Sequence, residues 1–470
     1  AAVACSAPGK VLLTGGYLIL RRPRGGLVVA VSARFHSEVR TLPDAEEEGA
    51  DFVLHCPQFG HSLRYSRAGA TGLQGEGRHP YFEAALRAVL ALAAARGAAV
   101  PRFAATVKAD NEFYSQQDRL EALGLPRASS SLHKLGKFEK CGAELGELRK
   151  TGLGSSAALV TSLITCLLIL SGELETEAVT DADGALVGSG RRVAGGRLAW
   201  LHNLAQFAHC LAQGKVGSGF DVSSAVYGSQ RFARASADIL APLLAAADPF
   251  EPSALAEFAG ELSAWDNSHA EFSLPRGMRL LMGDVNVGSS TPGMVRAVLR
   301  WLADAGPHAT SVWDQLGETN DRVAALLERL QGIATAQRAE YDKELTKLSA
   351  STASTWKESG EVGKACAEAR DAFLEVRRLL RTMGEGAGVP IEPEEQSRLL
   401  DATMELPGVL FAGVPGAGGN DAVFAVVMAD SEEAATMAAV EQLWTASTEL
   451  TVLPTIVREG CGGVIIEHFE

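Results

Sequence analysis

The stretch KTGLGSSAALVTSL, Lys150 to Leu163, sets glycines and two adjacent serines at the mouth of an apolar run. Glycine lets a backbone approach a ligand closely, and the first N–H groups of a helix carry about half a positive charge toward an anion. Ser155 and Ser156 add hydroxyls for phosphate or metal, or either one serves as a plain N-cap worth ~1 kcal/mol. Lys10, on the Pro-Gly turn of APGKVLLTGGYLIL, is a second cation for the same anion or an exposed lysine at a strand entry. In GKVGSGFDVSSAVYGSQ, Asp221 follows a glycine turn and precedes a segment that reads as a buried strand; it brings an acid to a site or caps the turn. GVPGAGGNDAVFAVV, Gly413 to Val427, is a further glycine loop that wraps a phosphate, passes close to a substrate, or only turns between strands. No GxxxxGK[ST] occurs, so a nucleotide here would not sit in a P-loop, and NDAVFAVV reads as a strand where a Rossmann motif needs a helix.

The elements that must hold these residues alternate in type. VLLTGGYLIL, a PRGG turn and LVVAVSARF read as a hairpin, and helical patterns follow at Tyr81 to Arg96, from the serines to about Leu170, and at Arg197 to Gln213. Thr176 to Gly196 reads as a loop. The Ala/Leu/Pro-rich Ala235 to Ala264 marks a junction, giving expected domains of 1–235 and 236–470. Beyond it come a strand in MRLLMGDVNV, a helix opened by GSSTPGMV, and helical periodicity over Asn320 to Arg381 interrupted by the polar linker SASTASTWKESGE. A strand, helix and strand order closes the chain, with a last strand near Gly463 to Glu467, and the whole reads as α+β.

Bulk properties narrow the chemistry. With 470 residues, two domains are expected; 47% hydrophobic and 21% charged residues suit a globular enzyme. A net charge of −14 disfavours nucleic acid and anionic membranes as partners, so an anionic ligand needs a local cluster of cations. Seven scattered cysteines without CxxC argue against a disulfide framework or zinc site. Ala157 to Leu170 is too short to span a bilayer. AAVACSAPGK lacks a basic start and apolar core and IIEHFE is not SKL, so a cytoplasmic location is expected, with peroxisomal delivery by an internal signal as the alternative.

SAPGKVLLTGGY, GLGSSAA and GVPGAGGNDA, in this order, resemble the three motifs of the GHMP kinase superfamily of small-molecule kinases. TGGYLIL, GKVGSGFDVSSAVYGSQ, GDVNVGSSTPGMV and DNEFYSQ resemble the eukaryotic type of its phosphomevalonate kinase family; Pro43 to Gly75 and Ser349 to Val362 match poorly and read as loops. The resemblance implies an N-terminal domain like ribosomal protein S5 domain 2, a C-terminal ferredoxin-like domain, and ATP- and Mg2+-dependent phosphorylation of (R)-5-phosphomevalonate in isoprenoid and sterol synthesis.

By the same resemblance, Lys150, Gly152, Leu153, Gly154, Ser155, Ser156 and Ala157 hold the nucleotide, with Ser156 approaching the metal. Asp221 orients the attacking phosphate oxygen and Lys10 stabilises charge beside it. Tyr17, Lys215, Ser218, Ser223 and Gly416, Ala417, Gly418 and Gly419 fall on the substrate side with Lys10, and Arg296 is a further cation. Mevalonate kinases place a metal-holding glutamate on the helix before the aspartate, where this chain has His209 or Cys210. A mevalonate or other small-alcohol kinase, and a silent ATP- or sugar-sensing regulator, are the competing readings.

Overall fold

The computed structural model describes residues 1–43, 49–142, 148–180, 186–285, 291–431, 434–460 and 462–469. Part of the GDVNVGSS stretch and Cys461 lie outside them; the other six cysteines are free thiols.

Strands β1 (Ala2–Thr14) and β2 (Gly26–Thr41) form the expected antiparallel hairpin, with Lys10 opposite Ala30. The first strand stops short of Leu20. Gly15, at φ 97°, lies so close to Gly25 that a Cβ would stand 2.6 Å from its carbonyl oxygen, and Leu18–Leu20 closes into a 3-10 turn. The segment that reads as a poorly matched loop forms β3 (Phe52–Cys56), β4 (His61–Ala68) and β5 (Gly72–Gly75), because Phe52, Val53 and Leu54 are fully buried against β6 (Phe103–Ala109). The sheet runs in the order β10 (Ser268–Glu271), β9 (Gln230–Ala233), β2, β6, β3, β4, β5, with β1 beside β2.

Helix α1 (Pro80–Ala95) packs on this sheet's helical layer; the short helices α2 (Gln117–Ala122) and α3 (Ser129–Leu132) follow in the chain. The central helix α4 (Ser155–Leu170) is buried on nearly every side, as its apolar run requires. Two of its buried hydroxyls are bonded: Thr165 Oγ1 donates to Thr161 O at 2.6 Å, and Ser162 Oγ meets Ser37 Oγ at 2.8 Å. Residues 176–196, expected as a loop, contain the hairpin β7 (Thr176–Thr180) and β8 (Leu186–Val193). Helix α5 (Leu198–Gln213) precedes α6 (Phe220–Tyr227), and here the strand reading around Asp221 is corrected. Gly219, in the left-handed region, caps a helix whose phase buries Val222, Ala225 and Val226, and the strand β9 (Gln230–Ala233) begins only after Gly228.

Helices α7 (Ala237–Leu244) and α8 (Pro252–Gly260) pack on α5 and α1, and β10 (Ser268–Glu271) pairs with β9. A second antiparallel sheet joins β11 (Met278–Asp284), β12 (Val409–Gly413), β13 (Ala422–Met428) and β14 (Leu453–Pro454) in the order β12-β13-β11-β14. Its helices are α9 (Thr291–Asp304), α10 (Gly306–Ala336), α11 (Arg338–Ser349), α12 (Glu361–Ala387), α13 (Glu394–Met404) and α14 (Ala435–Thr445). The supposed linker between α11 and α12 is pinned by Trp356, which is fully buried and donates from Nε1 to Ser351 Oγ at 3.2 Å. The last strand, β15 (Ile465–Phe469), pairs antiparallel with β1, so the chain returns to the first sheet. Among the described residues no helix is long and apolar enough to cross a membrane.

Candidate active site

Lys10 is fixed by strand register at the mouth of α4. Its N–H donates to Leu153 O at 2.9 Å, its Nζ to Gly152 O at 2.6 Å, and Nζ stands 5.1 Å from the centre of the Phe220 ring. Gly154 starts α4 at φ 79°; a Cβ there would lie 3.1 Å from Lys10 Cε and 3.6 Å from Asp221 Cβ. Only glycine lets the helix begin between the cation and the acid. Burial lowers the Lys10 pKa, opposed by the Asp221 charge.

The cap of α4 is Gly154 itself, with no side-chain cap bond. The N–H groups of Ser155, Ser156 and Ala157 therefore open the helix without intrahelical acceptors, and the reading of a serine as the N-cap does not describe this terminus. Ser156 Oγ instead meets His209 Nε2 at 3.0 Å. His209, on α5, stacks on Tyr81 with ring centres 5.9 Å apart, lies 3.1 Å from Gln213 Nε2 and 4.0 Å from Asp221 Oδ2. Burial lowers its pKa against the raising effect of Asp221, and Lys215 lowers it further. The neighbouring Cys210 is buried, which pushes its thiol up.

Asp221 sits in the first turn of α6, half-buried, with Oδ1 accepting from Val222 N at 2.9 Å. The turn before it is braced by Gln206, whose Nε2 donates to Gly219 O at 2.7 Å.

The third motif meets the first across the cleft. Gly416 N donates to Leu12 O at 3.1 Å, Gly418 N to Pro415 O at 3.0 Å and Gly419 N to Ile391 O at 2.8 Å, while Tyr17 Oη donates to Ala417 O at 2.6 Å. A Cβ on Gly16 would stand 2.1 Å from Gly416 O. Tyr17, at φ 64° and ψ −47°, centres a γ-turn closed by Leu18 N to Gly16 O at 2.8 Å, the strained hand of that turn. It is the one non-glycine residue at positive φ among the described residues, and burial pushes its phenol well above the usual range. Behind the loop, Glu392 is fully buried between Arg377 (Nη2 to Oε1, 2.7 Å) and Ser397 (Oγ to Oε1, 2.8 Å), beside the Ile391 carbonyl that anchors Gly419.

Between these walls lies a cleft of ≈ 200 Å³. Lys10, Tyr17, Gly152, Leu153 and Ser218 line it with Gly416, Ala417 and Gly418, and Phe220, Thr291 and Asp421, which the motifs did not single out, join them. Gly154 and Asp221 adjoin it through Lys10. A larger groove of ≈ 1240 Å³, lined in part by Arg276, Asp342 and Glu459, holds none of Lys10, Asp221 or the GLGSS residues; the motif residues gather at the smaller cleft.

Ser155, Ser156, Ala157 and Gly419 follow lining residues in the chain without lining the cleft themselves, and Ser223, Lys150 and Lys215 stand away from it. Ser223 is fully buried and donates to Gln230 Oε1 at 2.8 Å: the helical phase of α6 points it into the core, away from the substrate side. Lys150 is exposed, its backbone bridged to Tyr114, and Lys215 is exposed beyond the end of α5; neither lines the cleft. Among the described residues no group of three His, Cys, Asp or Glu side chains is disposed to hold a metal. Ser156 and Asp221, both facing His209, offer hard oxygen donors that fit Mg2+ where phosphates and water complete its shell.

Solved structures share this fold. A Listeria innocua protein, Lin0012, superposes with a TM-score of 0.64 at 17% identity, covering 99% of each chain. Streptococcus pneumoniae phosphomevalonate kinase, solved with phosphomevalonate and AMPPNP, gives 0.59 at 14% over 96% of this chain and 98% of its own. Methanococcus jannaschii mevalonate kinase gives 0.50 at 11%, covering 98% of this chain and 99% of its own. Fold and motifs together define the class as a GHMP kinase. No protein-family model matches the chain. A peroxisomal phosphomevalonate kinase of Arabidopsis thaliana is 37% identical over 99% of this chain and 96% of its own length. The phosphomevalonate kinase of Aspergillus fumigatus is 35% identical over 96% and 92%. The chain belongs to the phosphomevalonate kinase family.

Proposed function

We propose that this chain transfers the γ-phosphoryl group of ATP to (R)-5-phosphomevalonate, giving the 5-diphosphate and ADP in the mevalonate route to isoprenoids and sterols. The observation that carries the reading is the meeting of Lys10, Asp221 and the open N-terminus of α4 around Gly154. Catalysis of phosphoryl transfer is mostly positioning and charge neutralisation. The first-turn N–H groups of α4 hold nucleotide phosphate, Ser156 and Asp221 would hold Mg2+, which would offset the phosphate charge, and Lys10 neutralises charge on the transferred group. The acceptor is a phosphate monoester, whose second pKa of about 6 leaves it largely deprotonated at pH 7. Asp221 therefore acts by orientation more than as a strong base.

The domain division is proposed as two lobes, with the first extended past residue 235 to take in α7, α8 and β10, which pack with it. The compartment is proposed as the cytoplasm, with the peroxisome as the alternative decided by imaging of tagged protein. The function is tested by a coupled ADP-release assay offering phosphomevalonate or mevalonate in parallel. Preference for mevalonate would overturn it.

A further inference from the structure

We infer that His209 is a positioning residue whose Nε2 accepts the hydroxyl proton of Ser156, turning the lone pairs of that oxygen outward to the nucleotide and its metal. The inference rests on the phosphoryl-transfer reading above. Three contacts set the imidazole. Tyr81 stacks on its face, with ring planes 27° apart, Gln213 lies one turn along α5 with Nε2 at 3.1 Å, and Ser156 Oγ is at 3.0 Å. With the Gln213 amide nitrogen toward the ring, the ring nitrogen between Gln213 and Ser156 is assigned as an acceptor, and the serine hydroxyl then donates to it.

The alternatives open to that hydroxyl explain why the arrangement matters. A serine in the first turn of a helix readily bonds a nearby backbone or side-chain acceptor. Gly152 O is already taken by Lys10 Nζ, and Asp221 Oδ2 stands 4.0 Å from the same imidazole nitrogen. Without His209 the Ser156 proton turns to the Asp221 carboxylate, tying up the acid that must orient the acceptor and the hydroxyl that must face the nucleotide. With it, both oxygens face the ligand unencumbered. The ring is buried and does not line the cleft, so its effect passes through Ser156 and Asp221.

The test compares His209→Phe, which keeps a ring against Tyr81 but no acceptor, with His209→Gln, which restores an oxygen near the Nε2 position. His209→Phe should lower kcat about 10- to 100-fold with KM for phosphomevalonate within about twofold, and His209→Gln should recover most of the loss. Adding His209→Phe to Ser156→Ala should cost little more, because the ring acts through the serine hydroxyl that is already gone. In the unliganded protein, 15N NMR should find His209 with Nε2 unprotonated and its shift moved by Ser156→Ala. Equal losses in the Phe and Gln variants, additive losses with Ser156→Ala, an unchanged kcat, or a protonated Nε2 would each overturn the inference. Wild-type protein that forms no ADP from phosphomevalonate would sink the function reading instead, and the NMR result, which needs no turnover, would still decide the role of His209.

Discussion

In GLGSSAA the N–H groups of Ser155, Ser156 and Ala157 open a helix with no acceptor among the described residues, whereas in GVPGAGG those of Gly416, Gly418 and Gly419 already donate to Leu12, Pro415 and Ile391. The sequences look alike, yet the first loop is left open for an anion and the other is closed on itself and on the first motif. Gly154 clears space for Lys10 and Asp221; Gly16 and Gly418 clear space for backbone carbonyls. A glycine-rich loop offers a cradle only where its donors are free; the N–H groups of Gly416, Gly418 and Gly419 are taken, and that loop shapes the cleft wall.

The sharpest way to break this contrast is at the acid beside the open loop. Asp221→Asn should lower kcat about 10²- to 10³-fold with the melting temperature within a degree or two, since its main-chain partner is only Val222 N. A kcat close to wild type would remove Asp221 from the chemistry.

The open loop should also be the pH-sensitive one. The lowered Lys10 pKa puts the loss of its charge, and the alkaline fall in kcat, below the ordinary lysine value of about 10.4. The sign for stability is opposite: between the lowered value and 10.4 the unfolded chain binds the extra proton, so the Lys10 contribution to stability rises with pH. A kcat profile flat to pH 10.5 would contradict the assignment.

At the closed loop, Tyr17→Phe removes the bond to Ala417 and should raise KM for the acceptor a few-fold and cost about 1 kcal/mol of stability, read by denaturant unfolding. Lys150→Met should have the smallest effect, at most a twofold rise in KM that vanishes at high salt, because the lysine is exposed outside the cleft. A loss above tenfold would return Lys150 to the nucleotide site.

The three motifs, the class and the helix behind the serines were legible because each rests on local pattern: glycine spacing, an apolar run, a lysine at a strand entry. Asp221 was legible as a residue but not as a helical one, since VSSAV carries β-branched and small residues and its helical phase is imposed by packing. His61 to Gly75 hid its strands in polar sequence because β4 and β5 form the end of the sheet, with β5 at its edge. His209 had no mark in AQFAHCLAQ beyond being, with Cys210, one of two residues at the position where the resemblance implies a glutamate; its contact with Ser156 comes from α5 crossing the mouth of α4. Tyr17 looked like a substrate contact, and only the backbone shows it strained across to the third loop. Ser223 was misplaced for the same reason as the strand reading, a one-face error in helical phase.

The contrast between the loops is tested most directly by AMPPNP titration and thermal melting of Gly154→Ala and Gly418→Ala side by side. Gly154→Ala, at positive φ against Lys10, should weaken nucleotide binding tenfold or more, about 1.4 kcal/mol, beyond any loss of stability. Gly418→Ala, whose Cβ would stand 2.1 Å from Ile391 O, should lower the melting temperature while the folded protein binds AMPPNP within about threefold of wild type. The reverse pattern, nucleotide affinity lost at Gly418 and kept at Gly154, would contradict the account.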